Sequence, residues 1–266
     1  MSRYSGQISK LISEIGDPIC YHLPIGNKTI ELNSLLNKNI KFQFDGEIRC
    51  VECNTKIKKT FMQGYCYPCF ISSPKTSECI LRPELCRAHK GAARDMKWAE
   101  EHCLQDQYAY LSLTSNLKVG VTRHTQLPTR WIDQGAHKAL ILAKTPNRYL
   151  AGMIEKKLSQ QISDRTYWRR MLLGEYPDLN LINEKKRLSK ILNKEYHQYI
   201  TSNTSVTHLK YPFIASPEKI SSLNFEKTPI IEGKLTGIKG QYLFIDNNTV
   251  LNIRKFTGYT LNFITS

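Results

Sequence analysis

Two Cys-x2-Cys pairs constrain this chain more than any other feature: Cys50-Val-Glu-Cys53 and Cys66-Tyr-Pro-Cys69, with twelve residues between them. Such a turn brings two thiolates to one metal ion, and a second turn completes a tetrahedral four-sulfur shell. Four small buried hydrophobes would not recur as doubled pairs. With strand-like residues 55–62 and 64–65 between the pairs, the pattern predicts a zinc ribbon. A closed shell of Cys50, Cys53, Cys66 and Cys69 leaves no open coordination position, so the expected zinc is structural. A looser set follows in Cys79, Cys86, His89 and Cys103. The Cys86-Arg-Ala-His89 spacing again suits one ion, a second zinc, with His102 as a competing ligand. Two buried cysteines and a surface histidine would be the plain alternative.

Metal binding is favoured over disulfides by the absence of export signals. The opening MSRYSGQISKLISEIG has no signal-peptide core, and no apolar run approaches the ~20 residues that cross a bilayer. The expected location is the cytoplasm, away from membranes, where thiols stay reduced. A chain of 266 residues with 41% hydrophobic and 23% charged residues also argues against wholesale disorder.

The net charge of +15 points to a polyanionic partner, DNA or RNA. Residues 118–170 hold eleven lysines and arginines against three acids, a net of +8 in a fifth of the chain. The expected phosphate contacts there are Arg123, Arg148, Arg165 and Arg169. Trp168 among Arg165, Arg169 and Arg170 suits base stacking; a helix end packing Trp168 and Met171 inward is the alternative.

The fold class expected is α+β. Residues 1–49 read as a helix over 1–16, from the stripe Ile8, Leu11, Ile12 and Ile15, followed by short strands at 29–32 and 40–44. Residues 50–104 are the zinc-binding region. Residues 105–174 are mixed, residues 175–227 are a polar linker region, helical over 182–199, and residues 228–266 form a β-meander. The meander's strands fall at 230–235, 241–245, 249–253 and 259–264, with turns at 237–240 and 246–248. Neither terminal β region can bury much alone, so the two are expected to pack as one small β-barrel-like module.

Residues 105–174 could carry chemistry. A hairpin is expected from strands 108–113 and 117–121, then a short helix opened by Pro128 and ended by Gly135, a strand at 138–143, and a helix from Pro146 to Ile162. In that last helix Ala151, Ile154, Leu158 and Ile162 form one stripe, and Glu155 lies on its edge. An inward carboxylate needs a reason. The order is ββα-β-α.

That order, with Ala109-Tyr110, Lys118-Val119-Gly120, Arg130 and Glu155, resembles the GIY-YIG nuclease domain in its Lys-Val-Gly variant. GYCYPCF at 64–70, RPELC at 82–86, KVGVTR at 118–123, PTRWIDQGA at 128–136 and GIKGQYL at 237–243 resemble an uncharacterised bacterial family, of DUF2797 type, over nearly the whole chain. The nuclease resemblance implies hydrolysis of a phosphodiester with one divalent ion, Mg²⁺ or Mn²⁺. Glu155 would hold the ion, Arg130 would offset charge on the transition state, Tyr110 would act on the attacking water, and Lys118 would take a phosphate. Two departures weigh against it. Lys118 stands where a tyrosine is usual, and lysine with a pKa of ~10.4 is a poor base unless desolvated. Gln134 stands where a histidine is usual. Tyr108 and Tyr110 also fit plain packing, and Glu155 also fits an ion pair with Lys118 or Arg130. The expectations are thus a metal-dependent endonuclease, a catalytically degenerate nucleic-acid-binding module, or a zinc-braced interaction scaffold.

Overall fold

A computed structural model of the chain describes residues 1–162 and 166–266. In chain order the strands are β1 Ser2–Gln7, β2 Ile12–Glu14, β3 Cys20–Ile25, β4 Lys28–Glu31, β5 Asn39–Arg49, β6 Lys56–Ile57, β7 Gln107–Leu113, β8 Leu117–Arg123, β9 Lys138–Thr145, β10 Thr207–His208, β11 Ser221–Ser222, β12 Ile230–Lys239, β13 Tyr242–Ile245, β14 Thr249–Asn252 and β15 Tyr259–Thr265. The α-helices are α1 Tyr67–Ser72, α2 Met96–His102, α3 Thr129–Asp133, α4 Arg148–Leu158, α5 Trp168–Leu173 and α6 Leu181–Ser189. The fold is mixed α and β with several sheets. Two compact units divide it: a terminal unit of residues 1–71 and 210–266, and a central unit of residues 72–209. Among the described residues no helix is long and apolar enough to cross a membrane.

In the terminal unit the two ends of the chain build one sheet, ordered β1-β15-β5-β12-β13-β14-β11 with β6 beside β5. Alternating burial along β15 turns Leu261 and Phe263 inward. Phe42 stacks on Phe263 at 4.5 Å, and Phe225 packs edge-on against Phe256 at 4.8 Å. The sheet is open, not the expected barrel. Its last strand, β11, has two residues and pairs only with β14 among the described strands, so no ladder joins it to β1.

The N-terminal segment is a strand, not the expected helix. Residues 2–7 pair antiparallel with residues 260–265, ladder bonds that Ser-, Tyr- and Gly-containing sequence offers little helical propensity to oppose. Gly6 sits at φ +149° with its α-carbon against the Gly26 backbone, a position a side chain cannot take. The stripe itself splits: Ile8 and Leu11 are buried, while Ile12 and Ile15 are exposed. The expected turns also shift. β5 runs through Asp45-Gly46 on a bulge, with Gly46 at φ +86°, and β12 continues past Gly237 to Lys239.

In the central unit the antiparallel sheet β10-β9-β7-β8 follows the order strand, strand, helix, strand, helix from β7 to α4. Ala109, Leu111, Val119, Leu140 and Leu142 of the sheet pack with Ile154 and Leu158 of α4 and Leu181 and Leu188 of α6. Residues 181–209 therefore belong to this unit's core and not to a linker. Lys185 of α6 is buried, and its ammonium donates to Ile141 O at 2.9 Å, Thr201 Oγ1 at 2.9 Å and Asn203 O at 2.7 Å. All three ammonium protons are used, which is what makes that burial tolerable.

Helix α4 meets the 3-10 turn Pro83–Leu85 at Gly152. A β-carbon there would run into the Pro83 carbonyl carbon and the Glu84 nitrogen, backbone atoms that cannot rotate aside. Gly152→Ala gains about 1 kcal/mol in helix propensity but forces the two segments apart, a cost of about 1–3 kcal/mol. Packing should win, and thermal unfolding should show a lower Tm for this variant. An unchanged or raised Tm would mean that the turn yields freely.

Candidate functional site

Three clusters of reactive side chains stand out. The first is in the terminal unit. Cys50 directly follows β5, Cys53 lies in the turn before β6, Cys66 follows the Phe61–Tyr65 bridge, and Cys69 lies in α1. Each pair is shaped by backbone N–H groups aimed at sulfur: Glu52 N and Cys66 N lie 3.4 and 3.2 Å from Cys50 Sγ, and Cys69 N lies 3.4 Å from Cys66 Sγ. Gly64 at φ +114° brings the second turn against Thr257 O, where a side chain would not fit. The four sulfurs lie within 4.8 Å of one another and could hold a metal ion such as zinc. The Thr55 hydroxyl, 3.4 Å from Cys53 Sγ, draws that thiol down to about 6. Cys69 is pushed up, chiefly by its hydrogen bond with Cys66. Crowded thiols resist losing all their protons, and a divalent cation removes that conflict.

The second cluster gathers around Glu155 in the central unit. On β7, Tyr108, Tyr110 and Ser112 share one face, opposite the core residues Ala109 and Leu111. Tyr110 pairs with Gly120 and Ser112 with Lys118 across the hairpin. Tyr110 is fully buried; its phenol occupies the space that a side chain at Gly120 would need and donates to Gln134 Oε1 at 3.1 Å. Trp131 of α3 packs edge-on to its ring at 6.1 Å. Arg130 reaches the same phenol, and Glu155 acts on it electrostatically. Burial pushes the Glu155 carboxyl up to about 7; Lys118, Arg130 and Arg148 pull against that rise, and Glu84 adds to it. Among the described residues, Glu155 makes no side-chain hydrogen bond and no ion pair within 4.0 Å. The ion pair with Lys118 or Arg130 left open by the sequence does not form.

The structure thus brings Tyr110, Lys118, Arg130 and Glu155 into one neighbourhood. It adds Glu84, delivered by the turn that packs on Gly152, and Gln134 as the phenol's partner. Glu84 had no signal in spacing; its approach depends on Gly152, which reads in sequence as an ordinary helical glycine.

The arginines expected on phosphate have separate fates. Arg148 is committed to protein: its Nε donates to Cys79 O at 2.9 Å and its Nη2 to Ile80 O at 3.1 Å. Arg123 is half-buried at the end of β8, where burial and the Arg148 charge lower its pKa. Arg169 is exposed, 4.3 Å over the Trp168 ring, while Met171 packs inward. Arg165 lies outside the described residues.

The third cluster is Cys79, Cys86 and Cys103, which pack together with Ala88, Ala99, Met96 and Trp98. His89 is exposed, and its ring stacks on Tyr149 at 4.4 Å.

A family model described as a protein of unknown function (DUF2797) matches residues 37–261. The chain belongs to the DUF2797 family. No curated protein and no solved structure matches it. The matched range takes in all three clusters.

The raised Glu155 pKa has a consequence for stability. With the folded carboxyl near 7 and its ordinary value at 4.5, the folded state keeps a proton that the unfolded state has lost between those values. Stability contributed by this group is therefore present below about 4.5 and lost as pH rises through about 7. Glu155→Gln should raise Tm at pH 8 without added magnesium, and the gain should vanish by pH 4. Equal melting at pH 8 would show that the carboxylate is neutralised by a partner.

Proposed function

We propose that this protein processes nucleic acid as a metal-dependent phosphodiester hydrolase of GIY-YIG type, in a chain braced by a zinc ribbon. The observation that carries the reading is the half-buried Glu155 carboxylate, without a direct partner among the described residues, facing Lys118 and Arg130. The strand, strand, helix, strand, helix order and the net charge of +15 support it. The doubled Cys-x2-Cys turns around Cys50, Cys53, Cys66 and Cys69 support the ribbon.

A partly desolvated carboxylate free of hydrogen bonds is suited to one hydrated hard cation, and Glu155, with Glu84 nearby, would hold it. Mg²⁺ or Mn²⁺ there would supply Lewis acidity at a phosphoryl oxygen. Lys118 and Arg130 bind and orient the phosphodiester and offset the negative charge that grows on it. Tyr110 is too deeply buried to touch substrate. It acts as a positioning residue, holding Arg130 and Gln134 in register through its phenol.

One observation favours a second reading. The tyrosine is sealed under Gly120, and a lysine replaces the usual hairpin tyrosine, so the site can serve as a binding module that has lost cleavage. Incubation with Mg²⁺ or Mn²⁺ and a panel of duplex, branched and single-stranded DNA and RNA separates the two. Under the hydrolase reading some substrate is cut, Glu155→Gln abolishes cutting while retaining affinity, and Arg130→Ala weakens both by tenfold or more. If the wild-type protein binds with steep salt dependence but leaves every substrate intact, the hydrolase reading is lost and the binding module stands.

A further inference from the structure

In the terminal unit, residues 59–63 of the loop between the two Cys-x2-Cys pairs share a cavity of about 460 Å³ with the 3-10 turn Ile253–Phe256. Two contacts hold these walls together. Gly64 lies against Thr257 O, and Arg254 Nε donates to Gln63 Oε1 at 2.6 Å. Met62 and Gln63 both take left-handed backbone, at φ +42° and +65°. That conformation is unfavourable for residues with side chains, and Gln63 reaches Arg254 from it.

The charges at this cavity are lopsided. Lys59, Arg254 and Lys255 line it with one acid, Glu226, which already accepts the buried Tyr259 phenol at 2.9 Å. Other lysines of the unit find carboxylates: Lys41 pairs with Glu232 at 2.8 Å and Lys56 with Glu47 at 3.2 Å. Lys59 and Lys255 do not. Their ammonium groups make no hydrogen bond and no ion pair among the described residues; they lie 5.7 Å from the Phe61 ring and 5.3 Å from the Phe256 ring. A ring face steadies a cation without occupying its N–H groups, so each lysine keeps three donors for a ligand. A hollow lined by one sign of charge concentrates ions of the other sign.

We infer that this cavity binds a phosphate group through Lys59, Arg254 and Lys255, and that a nucleic-acid strand supplies it. The strand as the source rests on the nucleic-acid reading above, whereas the phosphate chemistry rests on the cavity alone. The guanidinium is a planar fork that suits phosphate oxygens, and the two ammonium groups add point charges around it. Nothing at the cavity reads a base edge, so the site anchors a strand whatever its sequence. Its loop wall lies between Cys53 and Cys66, so an ion held by the four sulfurs would also fix this wall.

Lys59→Ala/Lys255→Ala removes two exposed side chains that hold nothing else together. Thermal unfolding of the full chain in inorganic phosphate, against chloride at equal pH and ionic strength, reads the site without nucleic acid. Phosphate should raise the Tm of the wild type more than that of the double variant. An equal rise in both overturns the site. With single-stranded DNA or RNA, the double variant should bind more weakly, and its plot of log affinity against log salt should be shallower by about 2, one for each lysine removed. An unchanged slope beside a lost phosphate effect overturns the strand as the source and makes free phosphate the ligand. If the wild type binds no strand at all, the proposed function falls, and the unfolding comparison still decides the cavity.

Discussion

Helix α4 lays its apolar stripe on the central sheet while the turn at residues 83–85 closes against it, and Gly152 is the point of closest approach. Everything reactive in the central unit follows from this contact. Ala151, Ile154 and Leu158 are buried, and Ile154 and Leu158 sit among Leu111, Val119 and Leu140, which orients the helix. Once oriented, the helix has no choice about where Glu155 goes. One residue beyond Ile154, it lies at the margin of the buried stripe, desolvated enough to raise its pKa but short of the solvent-free core. The same closure brings Glu84 toward Glu155 and leaves Cys86, at the end of the turn, beside Cys79 and Cys103.

A carboxylate held this way is expensive in free energy, and the surrounding charges show how the cost is limited. Lys118, Arg130 and Arg148 all favour ionisation, yet burial outweighs them, and none comes close enough to form an ion pair among the described residues. Direct pairing would have been the cheaper arrangement, because a hydrogen-bonded ion pair recovers part of the desolvation penalty. A fold that forgoes it keeps a group whose charge is available to something that arrives from solution. Lys185 makes the contrast plain: it is buried more fully than Glu155, but its ammonium is saturated by three acceptors and has nothing left to offer a ligand. Perturbed groups of the first kind are the ones that cluster at functional sites.

What the sequence made legible was local. The Cys-x2-Cys turns, the β7–β8 hairpin and the stripe of α4 are each decided within a dozen residues, and the structure has turns, a hairpin and a helix there. The Ile8 to Ile15 stripe misled because the partner of β1 lies at residues 260–265, far beyond any window of periodicity. A ladder bond from such a partner overrides weak helical preference. Strand ends at Asp45-Gly46 and Gly237 were hidden for a related reason. Glycines read as turns, but in β5 and β12 they lie at bulges that let the strands bend without ending. Glu84 was invisible because its approach depends on a tertiary contact made by its backbone, and the stacking of His89 on Tyr149 was invisible because ligand spacing says nothing about an aromatic neighbour.

Charge count alone also overstated how many cations face outward. Arg148 donates to two backbone carbonyls, and a guanidinium so anchored cannot swing to a phosphate without leaving Cys79 O and Ile80 O unpaired. Lys144 is paired with Asp106 at 2.7 Å, and Arg170 with Glu175 at 3.4 Å. These exposed pairs are weak and a polyanion can compete for them, because phosphates outnumber single carboxylates and bring released counterions as well. Arg148 is different in kind, held by geometry and not by charge. Under the proposed function, Lys118 and Arg130 beside Glu155 and Arg169 on its tryptophan are the central unit's cations placed to act on a strand. Arg148 acts instead on the protein's own titratable groups, the Cys79, Cys86 and Cys103 thiols and the Glu155 carboxyl, from a fixed position set by the chain itself.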